Sequence, residues 1–131
     1  EVYLSFINEN LRLYANQCKD YHMRIANSVK QYIHEYYSEN ISLESVADKL
    51  AFHPNYISRI FKESYGENFI DYLTNYRIEA AKEILREDVR YNISDVAGMV
   101  GYNNPKYFSK VFKKVTGVTP GEFIRKSKKY K

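Results

Sequence analysis

An internal repeat constrains this chain more than any other feature. Val46-Ala47, Leu50-Ala51-Phe52, Tyr56-Ile57-Ser58-Arg59-Ile60-Phe61-Lys62 and Gly66 form one copy. Val96-Ala97, Val100-Gly101-Tyr102, Tyr107-Phe108-Ser109-Lys110-Val111-Phe112-Lys113 and Gly117 form the other, displaced by 50 residues before a turn and by 51 after it. Each copy runs on to an apolar pair, Tyr72-Leu73 and Phe123-Ile124. A short helix comes first in each, with a small residue, Ala47 or Ala97, where another helix can approach closely. A polar turn follows, His53-Pro54-Asn55 or Asn103-Asn104-Pro105, and its proline falls at or near the next helix's first turn, where a missing N–H costs nothing. That second helix buries Ile57, Ile60 and Phe61, or Phe108, Val111 and Phe112. Its other face presents Asn55, Ser58, Arg59 and Lys62, or Lys106, Ser109, Lys110 and Lys113, and Gly66 and Gly117 act as C-terminal stops. Helix, short turn and helix with a polar, basic outer face is the helix-turn-helix.

Between the copies, residues 69–87 read as one long helix with Phe69, Leu73, Tyr76, Ala80/Ala81, Ile84 and Leu85 as its apolar stripe. Nineteen residues span roughly 28 Å, approaching the ~34 Å that separates successive major-groove entries on one face of B-DNA. Ahead of the first copy, Leu4, Ile7, Leu11, Tyr14, Cys18, Tyr21 and Ile25 recur at alternating spacings of three and four, a heptad seam of about three repeats. It either pairs with another helix or packs on its own domain. A second helix is expected from about Ile25 to Tyr37, with Val29, Ile33, Tyr32 and Tyr36 facing inward. Ser42 is then the expected cap of the helix that opens the first copy, with Glu44 in its first turn and Ile41 as a staple against Val46. Fourteen tyrosines and seven phenylalanines against no tryptophan mean that aromatic rings supply much of the core.

The chain's 131 residues hold about one domain, or two very small ones. With no initiator Met and no secretory start, it is expected to be a piece of something longer. No run of eighteen apolar residues exists to span a membrane. One cysteine excludes an intrachain disulfide framework and a cysteine zinc cage, and fits a reducing compartment. Cys18 and His22 share a helical face at i and i+4, but two ligands do not make a metal site; His34 and His53 stand alone as surface or turn residues. No catalytic triad, Cys/His arrangement or phosphate loop is recognisable, so no enzyme, cofactor or metal is expected. Gly98-Met99-Val100-Gly101 matches the GxxG of a KH loop formally, but its inner residues are apolar and it lies inside the repeat.

Net charge is +4 and unevenly spread. Residues 106–131 carry nine Lys/Arg against Glu122 alone, while residues 1–105 sum to −4 and residues 41–70 to −1. A basic end on a mildly acidic body is a footprint for a polyanion, or else a solvated tail.

These residues resemble the AraC/XylS family of transcriptional regulators. The resemblance is strongest from Ile93-Ser94-Asp95-Val96-Ala97 through Val100-Gly101-Tyr102 to Tyr107-Phe108-Ser109-Lys110-Val111-Phe112-Lys113-Lys114 and Gly117-Val118-Thr119-Pro120. It extends to Ser42-Leu43-Glu44-Ser45-Val46-Ala47, Tyr56 to Lys62 and Tyr76-Arg77-Ile78-Glu79-Ala80-Ala81-Lys82, and covers about residues 25–126. It implies an all-α fold of about seven helices, two helix-turn-helix units (about 41–66 and 93–117) joined by the long helix 69–87. Residues 25–131 would then be the DNA-binding domain, and residues 1–24 a helical linker to an upstream sensor or receiver. It further implies a cytoplasmic regulator that binds double-stranded DNA and works beside RNA polymerase. Homodimerisation through the N-terminal helix is left open by the seam.

Carried over position by position, the base-reading residues are Asn55, Ser58 and Arg59 in the first unit and Pro105, Lys106, Ser109 and Lys110 in the second. The guanidinium of Arg59 can hold guanine O6 and N7 together, or grip a phosphate. Lys106 and Lys110 can read guanine or bind phosphate; Asn55 can bond adenine or cap its helix; Pro105 can touch only a thymine methyl. Lys62, Lys113 and Lys114 near the helix ends are expected on phosphates, with the tail from Arg125 to Lys131 as a further grip or a disordered end. Two readings compete with specific binding: a helical protein-interaction module anchored by tyrosines, and a non-specific DNA binder.

Overall fold

The computed structural model describes residues 2–87 and 91–129. Among them are seven helices and no strand: α1 Val2–Tyr36, α2 Leu43–Leu50, α3 Pro54–Tyr65, α4 Phe69–Arg86, α5 Ile93–Met99, α6 Pro105–Thr116 and α7 Pro120–Lys129. The fold is thus all-α, with two helix-turn-helix units, α2–α3 and α5–α6, joined in sequence by α4. The helix starts repeat as the sequence does: α2 and α5 are displaced by 50 residues, α3 and α6 by 51, and α4 and α7 by 51. The first turns of α4 and α7 are therefore a third repeated element, reached through the pairs Tyr72-Leu73 and Phe123-Ile124.

The chain divides into two units. The first comprises Glu1–Tyr32 and Leu43–Phe69. Its buried residues are Ile25, Ala26 and Val29 of α1, Val46 and Ala47 of α2, Ile57, Ile60 and Phe61 of α3, and Phe69. The Phe61 ring meets Tyr65 at 5.1 Å and Phe69 at 6.4 Å, both edge-on.

The second unit comprises Ile33–Ser42 and Ile70–Lys131. Ile78, Ala81 and Leu85 of α4, Val96, Ala97 and Val100, Tyr102, and Phe108 and Phe112 of α6 make one buried cluster, with Phe123 and Ile124 of α7 packed against it. Ala97 is fully buried, which is what a small residue at a close helix approach requires.

Several expectations change. The two helices foreseen before residue 38 are one 35-residue helix, α1. No glycine or proline precedes Pro54, so nothing in the sequence interrupts it. Along its seam Leu4, Leu11 and Tyr14 are 63%, 61% and 68% exposed; Ile7 and Cys18 are half-buried, and among the described residues Ile25 is the first seam position to be buried. Most tyrosines line the core rather than fill it: Tyr32, Tyr36, Tyr72 and Tyr76 are half-buried, and among the described residues only Tyr102 is buried, since a phenol hydroxyl favours the rim. His34 is not isolated: its ring stacks on Tyr76 at 4.4 Å, and Nε2 lies 2.6 Å from the Tyr72 hydroxyl. Through Lys129 the basic tail is helix, not a disordered end. Thr119 starts it, its Oγ1 accepting from the Glu122 N–H at 3.2 Å; Tyr130 and Lys131 lie outside the described residues.

Candidate nucleic-acid interface

The outer faces of α3 and α6 are built by the same local rules. Each helix opens on proline, with a side chain ahead of it capping the free N–H groups. In α6, Asn104 Oδ1 accepts from the Lys106 and Tyr107 N–H groups at 2.9 and 3.2 Å. In α3 the cap is His53, whose Nδ1 accepts from the Asn55 N–H at 3.1 Å. Capping therefore does not fall to Asn55, whose exposed side chain stands on the first turn. Both helices close on a left-handed glycine, Gly66 at φ 77° and Gly117 at φ 87°, with N–H donating to the carbonyl of Lys62 or Lys113 at 2.8 Å.

Between such ends, Asn55, Ser58, Arg59 and Lys62 recur at i, i+3, i+4 and i+7, as do Lys106, Ser109, Lys110 and Lys113. That spacing lays each set along one side of its helix. Asn55, Arg59 and Lys62 are exposed and Ser58 is half-buried; Pro105, Lys106, Lys110, Lys113 and Lys114 are exposed and Ser109 is half-buried. The opposite sides carry Ile57, Ile60 and Phe61, and Phe108 and Phe112, all fully buried. The structure thus brings together the residues expected of each face.

The electrostatics of the two faces differ. In α6, Lys114 replaces the Glu63 of α3, leaving four lysines and no acid. Among the described residues, none of these lysines, nor Arg59 or Lys62, is in an ion pair; the ion pairs found, such as Lys82–Glu79 at 2.8 Å and Arg86–Glu83 at 2.7 Å, lie elsewhere. The Arg59 guanidinium sits 5.6 Å from the centre of the Tyr56 ring, a cation–π contact that steadies its fork. Tyr56 is itself held by Phe52 at 5.4 Å and His22 at 6.1 Å.

The turn leading into α6 is clamped from behind by Arg77 of α4. Its Nε donates to the Tyr37 carbonyl at 2.8 Å and its Nη2 to the Glu39 carbonyl at 2.9 Å, while the guanidinium lies 5.3 Å from the Tyr102 ring centre. Gly101 leaves the room, since a Cβ there would stand 2.7 Å from the Tyr37 carbonyl oxygen and 2.9 Å from Arg77 Nε. Burial lowers the Arg77 pKa, and Tyr102 partly offsets this; burial likewise pushes the Tyr102 hydroxyl up. Ahead of α5, Asn92 and Asp95 form a reciprocal capping box at 2.7 and 3.2 Å. The clamp and the box escaped the sequence reading, although Asn92 three residues before Asp95 was the signal for the box. Among the described residues no group of three or more His, Cys, Asp or Glu side chains could hold a metal ion, and no helix is long and apolar enough to cross a membrane.

Residues 46–126 match the helix-turn-helix domain family. The chain is 39% identical over 104 residues to the transcriptional regulatory protein YesN of Bacillus subtilis, covering 78% of this chain and 28% of that protein. It is 35% identical over 94 residues to the arabinose operon regulatory protein of Escherichia coli, covering 71% of this chain and 32% of that one. It thus spans about a third of these relatives or less. Among solved structures it resembles the C-terminal domain of AraT, a response regulator from Geobacillus stearothermophilus, with TM-score 0.76, 40% identity, and 78% and 84% of the two chains covered. The DNA-binding domain of AdpA, solved with a target DNA, shares the fold at TM-score 0.76 and 20% identity, with 81% and 95% covered. With two helix-turn-helix units in the expected register and these relatives, the chain belongs to the AraC-type family of helix-turn-helix transcriptional regulators.

Proposed function

We propose that this chain binds duplex DNA in a sequence-specific way, with α3 and α6 as its two reading helices in successive major-groove segments. The observation that carries the reading is the repeated polar face: Asn55, Ser58, Arg59 and Lys62 on one helix and Lys106, Ser109, Lys110 and Lys113 on the other, each backed by buried apolar residues. Arg59 suits guanine O6 and N7; Lys106 and Lys110 suit guanine or phosphate; Lys62, Lys113 and Lys114 suit phosphate. Pro105 offers only apolar contact. The eighteen residues of α4 span about 27 Å, near the ~34 Å of one DNA turn. The binding of target DNA by AdpA, which has the same fold, supports the reading.

In this reading residues 25–131 are the DNA-binding domain and residues 1–24 a helical linker that carries the output of an upstream sensor to a site beside RNA polymerase, in the cytoplasm and without enzymatic chemistry. The exposed apolar side chains of Leu4, Leu11 and Tyr14 favour a second role for α1, pairing with another copy of this chain.

Selection of bound duplexes from a random pool, at near-physiological salt, tests the proposal. Two enriched blocks about 10 base pairs apart are expected. One block would leave a single reading helix, and salt-sensitive binding with no enrichment would reduce the chain to a non-specific binder.

A further inference from the structure

We propose that Tyr107 is a base-contacting residue of the second reading helix and that its ring reads a thymine methyl group. The assignment rests on the DNA-binding reading above and adds a residue, and a chemistry, to it.

Tyr107 is the third residue of α6, in the N-terminal turn through which recognition helices meet base edges. It is 57% exposed and is followed at i+3 and i+7 by Lys110 and Lys114, so it flanks the lysine face. The core does not use it: Phe108 and Phe112 fill the buried side of the helix. The repeat supplies an internal comparison. Tyr56 stands at the same step of α3, yet it is half-buried, with Phe52, His22 and Arg59 around its ring. Among the described residues, Tyr107 keeps only the counterpart of Phe52, the Tyr102 ring at 6.0 Å. The same residue at the same step is thus packed in one unit and presented in the other.

What a presented ring can recognise follows from the duplex. Base faces are covered by stacking, so a side chain in the major groove meets only edges. Those edges display hydrogen-bonding groups and one apolar feature, the C5-methyl of thymine. The lysines of α6 address acceptors and phosphates, and the exposed Pro105 two residues earlier offers a smaller apolar surface, so the ring of Tyr107 is the larger complement to that methyl.

The test measures binding of the 131-residue chain to its selected duplex and to copies in which each thymine in turn is replaced by uracil, which removes only the methyl. One replacement is expected to weaken wild-type binding about fourfold, the factor that one buried methyl carries. Tyr107→Ala should be indifferent to that replacement, and Tyr107→Phe, which keeps the ring, should retain the thymine preference. Tyr107→Gln, a helix former without a ring, serves if the alanine variant melts early. If Tyr107→Ala responds to every uracil as wild type does, the assignment falls while the DNA-binding reading stands. If Tyr107→Phe loses the preference as alanine does, the hydroxyl makes the contact and the methyl assignment is wrong. A wild-type chain that enriches no duplex would remove specific binding itself, and the assignment with it.

Discussion

Ala51 and Gly101 occupy the same step of the two repeated turns, and both adopt left-handed backbone, at φ 62° and 102°. The residue after each donates its N–H back to the buried alanine of the preceding helix, Phe52 to Ala47 at 2.9 Å and Tyr102 to Ala97 at 2.8 Å. The turn is one design, but its surroundings differ. Ala51 is exposed, whereas the Gly101 position is closed off by Tyr37 and Arg77.

Gly101→Ala should therefore cost about 3 kcal/mol, from left-handed strain together with displacement of the Arg77 clamp. Ala51→Gly should be neutral or stabilising by up to about 1 kcal/mol, since it relieves strain that only glycine avoids. Urea unfolding midpoints of the two variants give the comparison, and equal losses would contradict it.

The caps predict a second asymmetry. Asn104 is a preferred cap and holds two N–H groups, so Asn104→Ala should cost about 1 kcal/mol. His53 holds one N–H from a residue type outside the preferred set. His53→Asn should raise thermal stability by a few tenths of a kcal/mol; a lowered melting temperature would show that the imidazole contributes packing that asparagine lacks.

If the proposed DNA-binding reading holds, the four lysines of α6 set the salt dependence of binding. Changing Lys106, Lys110 and Lys113 to Gln should flatten the slope of log affinity against log salt by about 0.9 for each phosphate left without its lysine. Arg59→Gln with Lys62→Gln should flatten it less and relax the base preference of one block. A slope that moves only with the α3 pair would assign the electrostatic grip to the wrong helix.

Alkaline pH should destabilise the second unit through Tyr102. Burial raises its pKa above the ordinary value of about 10, although Arg77 and a hydrogen bond to Thr74 pull it partly back. The unfolded tyrosine then loses its proton first as pH climbs, so the folded state binds more protons above about 10. This contribution is complete below that pH and is lost as pH rises toward the folded value. Tyr102→Phe should shallow the alkaline loss measured by urea unfolding, with Tyr65, raised by the same cause, accounting for part of the remainder.

Pairing through α1 predicts a concentration-dependent mass. Sedimentation of the chain should show a dimer that Leu11→Asp with Cys18→Asp abolishes, because a charge at each inward seam position opposes its own copy. An unchanged mass would leave the exposed seam for a different segment.

Much of this architecture was readable from spacing. The repeat located α2, α3, α5 and α6; proline opens and glycine closes α3 and α6, and a face at i, i+3, i+4 and i+7 follows once those ends are known. The unbroken course of α1 was harder: the seam ends at Ile25, where a second helix is expected to begin, yet without glycine or proline nothing stops the helix there. The packing of Tyr56 against the presentation of Tyr107 was not readable at all. It depends on His22, which lies 34 residues before Tyr56 and has no counterpart in the second copy. The Arg77 clamp was hidden likewise, since a guanidinium reaching the carbonyls of Tyr37 and Glu39 across about 40 residues leaves no periodic trace.

The two displacements of the repeat, 50 and 51, differ by a single residue, and it is Asn103, between Tyr102 and the capping Asn104. An α-helix advances about 100° per residue. One residue inserted within α6 would swing everything after it by that angle, taking Lys110 and Lys113 off the outer side and Phe112 out of the core. Placed ahead of the cap, the same insertion is absorbed by the turn and every later side chain keeps its bearing. The caps act as origins from which each helix counts its own angle, so the chain can change length between Tyr102 and Asn104 without re-aiming what it presents.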